Sequence, residues 1–197
     1  MASTAPTQNA TSTWNIDAAH SAIEFAAKHM MITTVKGRLA DAKGTITIDE
    51  ANPDRSSVAV EFDAASLDTR SADRDQHLRS ADFLDVEQHP AISFKSRRVE
   101  GARSEEGKSF KVIGDLTIRG VTRPAVLDVH YLGQWQTPWW EDGMDKGPKT
   151  RAGFVAKTSI NRQDFGVNWN DTMDRGGIVV SNIVEITIDA EAILEDE

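Results

Sequence analysis

The residue types able to do chemistry are few and scattered along this 197-residue chain. Cysteine is absent, which removes thiolate nucleophiles, thiolate metal sites and disulfides. The five histidines, His20, His29, His77, His89 and His130, form no i, i+2 or i, i+4 pair with one another. Their spacing therefore supplies no local metal set. No Gly-x-Ser-x-Gly turn occurs, and no glycine-rich loop joins a strand to a helix in the manner of a phosphate cradle. Gly176-Gly177 reads as a loop before the last strand. The densest polar group is Arg74-Asp75-Gln76-His77. Adjacent residues on a helix point in different directions, so Arg74 and Asp75 are expected to anchor it through separate partners. Neither a catalytic set nor a metal set is expected. A site assembled in space, for instance His20 with His77, stays open.

The elements that would position these groups announce themselves by alternation, the mark of a strand with one dry and one wet face. Ile23, Phe25 and Ala27 oppose Glu24 and Lys28; Val58, Val60 and Phe62 oppose Glu61 and Asp63. Ile92 and Phe94 oppose Lys95, and Leu116 and Ile118 oppose Asp115 and Arg119. Leu127, Val129 and Tyr131 oppose Asp128 and His130; Val184, Ile186 and Ile188 oppose Glu185 and Asp189. Apolar parity slips between Leu39 and the pair Ile46 and Ile48, which predicts a bulge near Ala42-Lys43-Gly44. Arg119-Gly120 reads as a tight hairpin and Asn52-Pro53-Asp54 as a loop. From Ser71 to Ser80 there is no β-branched residue, and Ser71 suits an N-cap ahead of acidic residues. A short helix is expected there, with Leu78, Phe83 and Leu84 turned toward the sheet, and a second helical turn at Asn161–Asp164. About eight strands result, the number at which a closed antiparallel barrel either fills itself or holds one small ligand.

Bulk properties narrow the partners. The formal net charge of −9 disfavours nucleic acid and anionic membrane surfaces, and is otherwise a solubilising surface. No window has the ~18 unbroken apolar residues of an integral membrane segment. Residues 1–13 are polar and rich in Ser, Thr, Asn and Ala, so they are expected to form a disordered tail before a single domain at 14–197. The start lacks a signal peptide's basic and apolar regions, which predicts a cytoplasmic location if Met1 is the natural start.

Several strings, in this order, resemble one family. They are Trp14-Asn15-Ile16-Asp17 with His20-Ser21; Ser66-Leu67-Asp68-Thr69 followed by Arg74-Asp75-Gln76-His77-Leu78; Asp82-Phe83-Leu84-Asp85; and His89-Pro90-Ala91-Ile92-Ser93-Phe94. Gly114-Asp115-Leu116-Thr117-Ile118-Arg119-Gly120 and Asn161-Arg162-Gln163-Asp164-Phe165-Gly166 complete the series. From Trp14 to about Ala192 the chain resembles the YceI-like polyisoprenoid-binding family. The resemblance implies an all-β fold, a closed eight-stranded antiparallel lipocalin-like barrel with one short helix. It also implies a bound isoprenoid lipid or isoprenoid quinone inside, no separate cofactor and no established reaction. Many relatives are periplasmic. The segment Gln134–Pro148 departs from the pattern. Its Trp135, Trp139 and Trp140 are read as a loop that either gates the mouth or touches lipid, or else closes one barrel end or packs in a homodimer.

Whether the barrel is hollow decides the function. Ala27, Ala152, Ala156, Ala190 and Ala192 fall on inward faces beside larger residues, and small inward residues leave volume that wants an occupant. The leading expectation is a lipid carrier or store. Phe25, Val60, Phe62, Phe94, Leu116, Phe154 and Ile186 would form its ligand-binding wall, with Phe83 and Phe165 closing an end. Two other classes remain. One is an enzyme acting on a small apolar substrate through His20, His77 or Asp75 at the mouth; the other is an interaction module with a filled barrel.

Overall fold

The computed structural model describes residues 11–103 and 105–195. In chain order the strands are β1 (Thr11–Ile16), β2 (Ala22–His29), β3 (Thr33–Leu39), β4 (Lys43–Asp49) and β5 (Ser57–Asp63). Helix α1 (Ala72–Arg79) follows, then β6 (Ala91–Glu100), β7 (Ser109–Ile118), β8 (Val121–Glu141), β9 (Met144–Asn161) and β10 (Val180–Leu194). All pairings are antiparallel, and eight strands close a ring in the order β1-β4-β5-β6-β7-β8-β9-β10, with β10 returning to β1. The β2–β3 hairpin continues the wall from the same edge of β10. Thus β1 and β2 act as one long strand broken at residues 17–21, and β3 and β4 as another broken at 40–42. The barrel expected from alternation is therefore present, with two of its eight strands interrupted.

The breaks have specific causes. Asp41 takes a positive φ of 58°, and Ser66 bridges the gap by accepting from the Ala40 amide and donating to carbonyl oxygen. The parity slip thus occurs just before the Ala42-Lys43-Gly44 position expected for it. At the other break, the Asp17 amide donates to the Glu191 carbonyl, and Ser21 Oγ accepts from the Glu191 amide at 3.0 Å. Strand β1 begins at Thr11, so residues 11–13 belong to the wall and not to a tail: Thr11–Thr13 pair with Thr47–Asp49 of β4. Residues 1–10 of that expected tail lie outside the described residues.

Local chemistry explains the connections. Arg119 and Gly120 both have positive φ, 50° and 70°, the two-residue turn that matches strand twist. A side chain at Gly120 would bring its Cβ within 2.9 Å of the His89 ring. Arg119 tolerates its own conformation because its guanidinium donates to the Gly166 and Ala81 carbonyls at 2.7 and 2.8 Å. Asn52-Pro53-Asp54 leads into a 3-10 turn, Pro53–Arg55, and Asn161 caps another at Arg162–Phe165 by accepting from the Gln163 amide. Helix α1 lies where expected, but the Ser71 hydroxyl makes no capping bond. Arg74 and Asp75 do not find separate partners; they converge on Thr69. Asp75 accepts from the Thr69 amide and hydroxyl, while Arg74 donates to the Thr69 hydroxyl and carbonyl. The helix is tied to the loop before it, a structural use of both groups.

Core side chains fill the half of the barrel nearest the β7–β8 turn. Phe83, Phe165, Val167, Leu116 and Ile118 are buried there, and Phe83 and Trp169 meet His77 in a small aromatic cluster. Buried Arg162 organises the same end. Its five N–H groups reach the carbonyls of Val167, Trp169, Val180 and Ser181 and the side chain of Asn182, at 2.6–3.5 Å. With no carboxylate paired to it among the described residues, burial pushes this guanidinium below the usual arginine range. Removing one partner of buried, charge-assisted bonds leaves the others unsatisfied. The variant Arg162→Met is expected to lose about 3 kcal/mol of unfolding free energy in urea; a loss below about 1 kcal/mol would contradict the clamp.

Candidate functional site

The opposite half of the barrel is not filled. A cavity of about 210 Å³ lies between β1, β4–β9 and β10. Its inner wall carries Ile46 and Ile48 of β4, Val58 and Val60 of β5, Phe110 and Val112 of β7, and Leu127 and Val129 of β8. Phe62, Phe94 and Phe154 add aromatic surface. Exposed Glu50, Ser57, Arg103 and Gln134 lie along its edge, which places the mouth at the end away from the β7–β8 turn. The register explains why these side chains meet. Val60 pairs with Phe94, and Ala156 lies between Val129 and Ile188, so inward positions of adjacent strands stand at one level.

Of the nine expected ligand-contacting residues, Val60, Phe62, Phe94 and Phe154 line this cavity. The other five do not. The Phe25 ring lies over Gly37, where a Cβ would meet it at 2.3 Å, and beside Thr69. Leu116 and Ile186 pack within the filled half, and Phe83 and Phe165 are buried in it. Alternation reports which face a residue occupies but not its height along the barrel axis, and height decides cavity from core here.

The alanines are also used differently. Ala156 and Ala190 line the cavity, together with Ala42. Ala152 and Ala192 instead receive the buried indole of Trp14, which fills the room they leave. Trp14 and Tyr131 are lining residues that the wall assignment did not include. Tyr131 was in phase with Leu127 and Val129 on a legible strand, whereas Trp14 is the fourth residue of β1, whose first three residues read as tail.

The tryptophan segment is not a loop. It is the outer part of the β8–β9 ribbon, closed by a two-residue turn at Asp142-Gly143, both with positive φ. Trp135 and Trp140 remain 55% and 64% exposed, and Trp139 packs under the Arg151 guanidinium at 4.9 Å. From this segment Gln134 reaches the cavity; the three tryptophans do not line it.

Polar chemistry lies outside the cavity. His77 bonds to Asp82, His20 to Asp17, and the two histidines are not brought together. Asp17, His20 and Glu191 offer atoms within 4.8 Å of one another. The position between the two carboxylates is taken by Arg151, which bonds to Asp17 and Glu191 alike. Burial alone would raise the Asp17 carboxyl, but bonds from His20, Arg151 and the Ala19 amide hold it below its ordinary value. Burial lowers Arg151, and its two carboxylate partners more than restore it. The cluster therefore reads as an ion-paired brace across the β1–β2 break. None of His20, His77 and Asp75 lines the cavity.

The family model described as YceI-like domain matches residues 14–192. A UPF0312 protein of Serratia proteamaculans is 37% identical over 174 residues, covering 88% of this chain and 81% of that protein. Among solved structures, BcnA of Burkholderia cenocepacia superposes with a TM-score of 0.70 at 21% identity, over 89% of this chain and 98% of its own. A polyisoprenoid-binding domain of Saccharophagus degradans, implicated in plant cell wall breakdown, gives 0.60 at 14% identity over 92% and 98%. The two structures show the same fold.

If the cavity is the functional volume, filling it must remove binding without unfolding the barrel. The variant Ala156→Leu places an isobutyl group between Val129 and Ile188. Its thermal midpoint is expected to hold or rise, because filling an apolar void stabilises. Toluene binding, followed by calorimetry, should weaken by about tenfold or more. Unchanged toluene affinity would contradict the assignment.

Proposed function

We propose, from the premise that this chain belongs to the YceI-like domain family, that the barrel sequesters the apolar tail of an isoprenoid-type lipid or quinone. The observation that carries the proposal is the apolar cavity of about 210 Å³, open at one end and walled by Val60, Phe62, Phe94 and Phe154. The structural likeness to a polyisoprenoid-binding domain supports it. No separate cofactor enters this reading, and the protein's part is to hold rather than to transform.

The volume sets the length of chain held. A dry apolar cavity of roughly 150 Å³ accepts benzene, so this one takes about eight to ten carbon atoms, roughly two isoprene units. A longer lipid keeps its end inside and passes out between Glu50 and Gln134. Burying about eight carbons at ~0.8 kcal/mol each provides roughly 6 kcal/mol, an affinity of tens of micromolar for the tail alone.

A series of straight-chain alcohols tests both the binding and the depth. Affinity should tighten about fourfold per added carbon, the equivalent of ~0.8 kcal/mol, and level off near ten carbons. An organic extract of protein purified without detergent should also yield a lipid by mass spectrometry. Absence of saturable binding across the whole series would overturn the proposal.

A further inference from the structure

The cavity stops abruptly along several strands. On β7 the inward positions are Phe110, Val112, Gly114, Leu116 and Ile118, but only Phe110 and Val112 line the open space. On β6 Phe94 lines it and Ile92 does not; on β10 Ile188 lines it and Ile186 does not. Gly114 is therefore the point at which β7 leaves the wall, although a glycine has no side chain with which to block anything.

The blocking group comes from the neighbouring strand. Phe94 is the register partner of Leu116, and its ring leans from there toward the mouth, over Gly114. A Cβ on Gly114 would meet the Phe94 ring at 2.6 Å and the Lys95 carbonyl oxygen at 2.4 Å. Gly114 lies in ordinary strand backbone without a positive φ, so what it contributes is the missing Cβ and the space this leaves for the ring. Phe62, paired with Ile92, completes the floor beside it. Behind the floor, Leu116, Ile118, Phe83 and Phe165 are buried in the packed half. A tail that reached the ring could advance only by overpacking that half, and carbons left outside gain nothing from burial.

We propose that Phe94, seated over Gly114, is the stop that sets how much hydrocarbon the barrel holds. The inference rests on the reading of the cavity as a tail-binding site, and it assigns the chain-length selectivity of that site to one residue. A tail entering from the mouth passes Phe154 and Val129 and ends against the Phe94 ring. Removing the ring exposes Gly114 and Leu116 as new wall and adds a space of about one phenyl group, room for roughly four more carbons. Enlarging it to an indole takes away room for about two.

Three straight-chain alcohols, 1-octanol, 1-decanol and 1-dodecanol, read the stop by calorimetry on the full chain. In the unaltered protein, affinity should tighten about tenfold or more from octanol to decanol and by less than about twofold from decanol to dodecanol. Phe94→Ala should restore a gain of about tenfold or more at the second step. Phe94→Trp should reduce the first step to about twofold or less. Phe165→Ala deletes the same phenyl group from the packed half and should keep the unaltered pattern, because the stop still stands in front of the new void. Thermal midpoints identify the folded variants; Phe94→Trp removes no packing and carries the test where Phe94→Ala does not fold. If decanol and dodecanol bind alike in the unaltered protein and every folded Phe94 variant keeps that pattern, the stop lies elsewhere and the cavity reading survives. A dodecanol gain in Phe165→Ala equal to that in Phe94→Ala would also overturn the assignment. If none of the three alcohols binds the unaltered protein, the cavity reading falls and takes the stop with it.

Discussion

One strand has to satisfy three neighbours, and the molecule is organised around how it does so. β10 pairs along one edge with β9 over its length, and along the other with β2 and then β1. This closure turns a sheet with a dry face into a barrel with an interior, and beyond the ring the outer edge of β3 is met by the Arg38–Asp68 bridge. Two short strands share that edge, so the chain must leave and rejoin the wall at residues 17–21. The Asp17 amide donating to the Glu191 carbonyl, the Glu191 amide donating to the Ser21 hydroxyl, and the ion pairs of Arg151 hold the discontinuity shut. What looks like a polar site is there to keep the barrel closed.

Closure forces every inward side chain into one volume, and the supply of large residues is uneven along the axis. Near the β7–β8 turn, phenylalanines and aliphatic residues from the sheet, α1 and the Arg162 turn fill the space to the density expected of a core. Toward the other end the inward side chains border the cavity of about 210 Å³. Even there the packing is partly completed, because Trp14 occupies the room beside Ala152 and Ala192. The remaining cavity is bounded above by Trp14 and Tyr131 and below by Phe62 and Phe94. Its apolar wall gives it affinity for hydrocarbon; its floor is where selectivity between chain lengths can reside.

Much of the fold was legible in the sequence because period and turn chemistry are local signals. Val58-Val60-Phe62 alternates cleanly and is a strand; Arg119-Gly120 demands a two-residue turn and makes one; Ser71–Ser80 lacks β-branching and is a helix. The slip of parity after Leu39 marked a real break at Asp41. The site was only half legible, for a different physical reason. Parity places Leu116 and Phe94 on the same inward face, and the two are register partners, yet Phe94 borders the cavity and Leu116 does not. Where each side chain leans, and how strands stagger around a closed barrel, decide which, and both are set by the whole sheet. The alanines misled similarly, since small residues mark available volume without saying whether a distant tryptophan claims it. The Trp135–Trp140 segment carried strong hydrophobic signal but hid the period of a strand, because Pro138 and the shifted registers of the ribbon interrupt it.

The central claim is that the space between Phe94 and Trp14 holds hydrocarbon rather than water. A crystal structure of the protein grown with 1-octanol addresses it directly. The account expects one continuous rod of density running from the Phe62 and Phe94 rings past Val129 and Phe154, with its oxygen end toward the mouth. Ordered water molecules in that space, a rearranged side chain filling it, or octanol bound elsewhere on the surface while the interior stays closed would contradict the account.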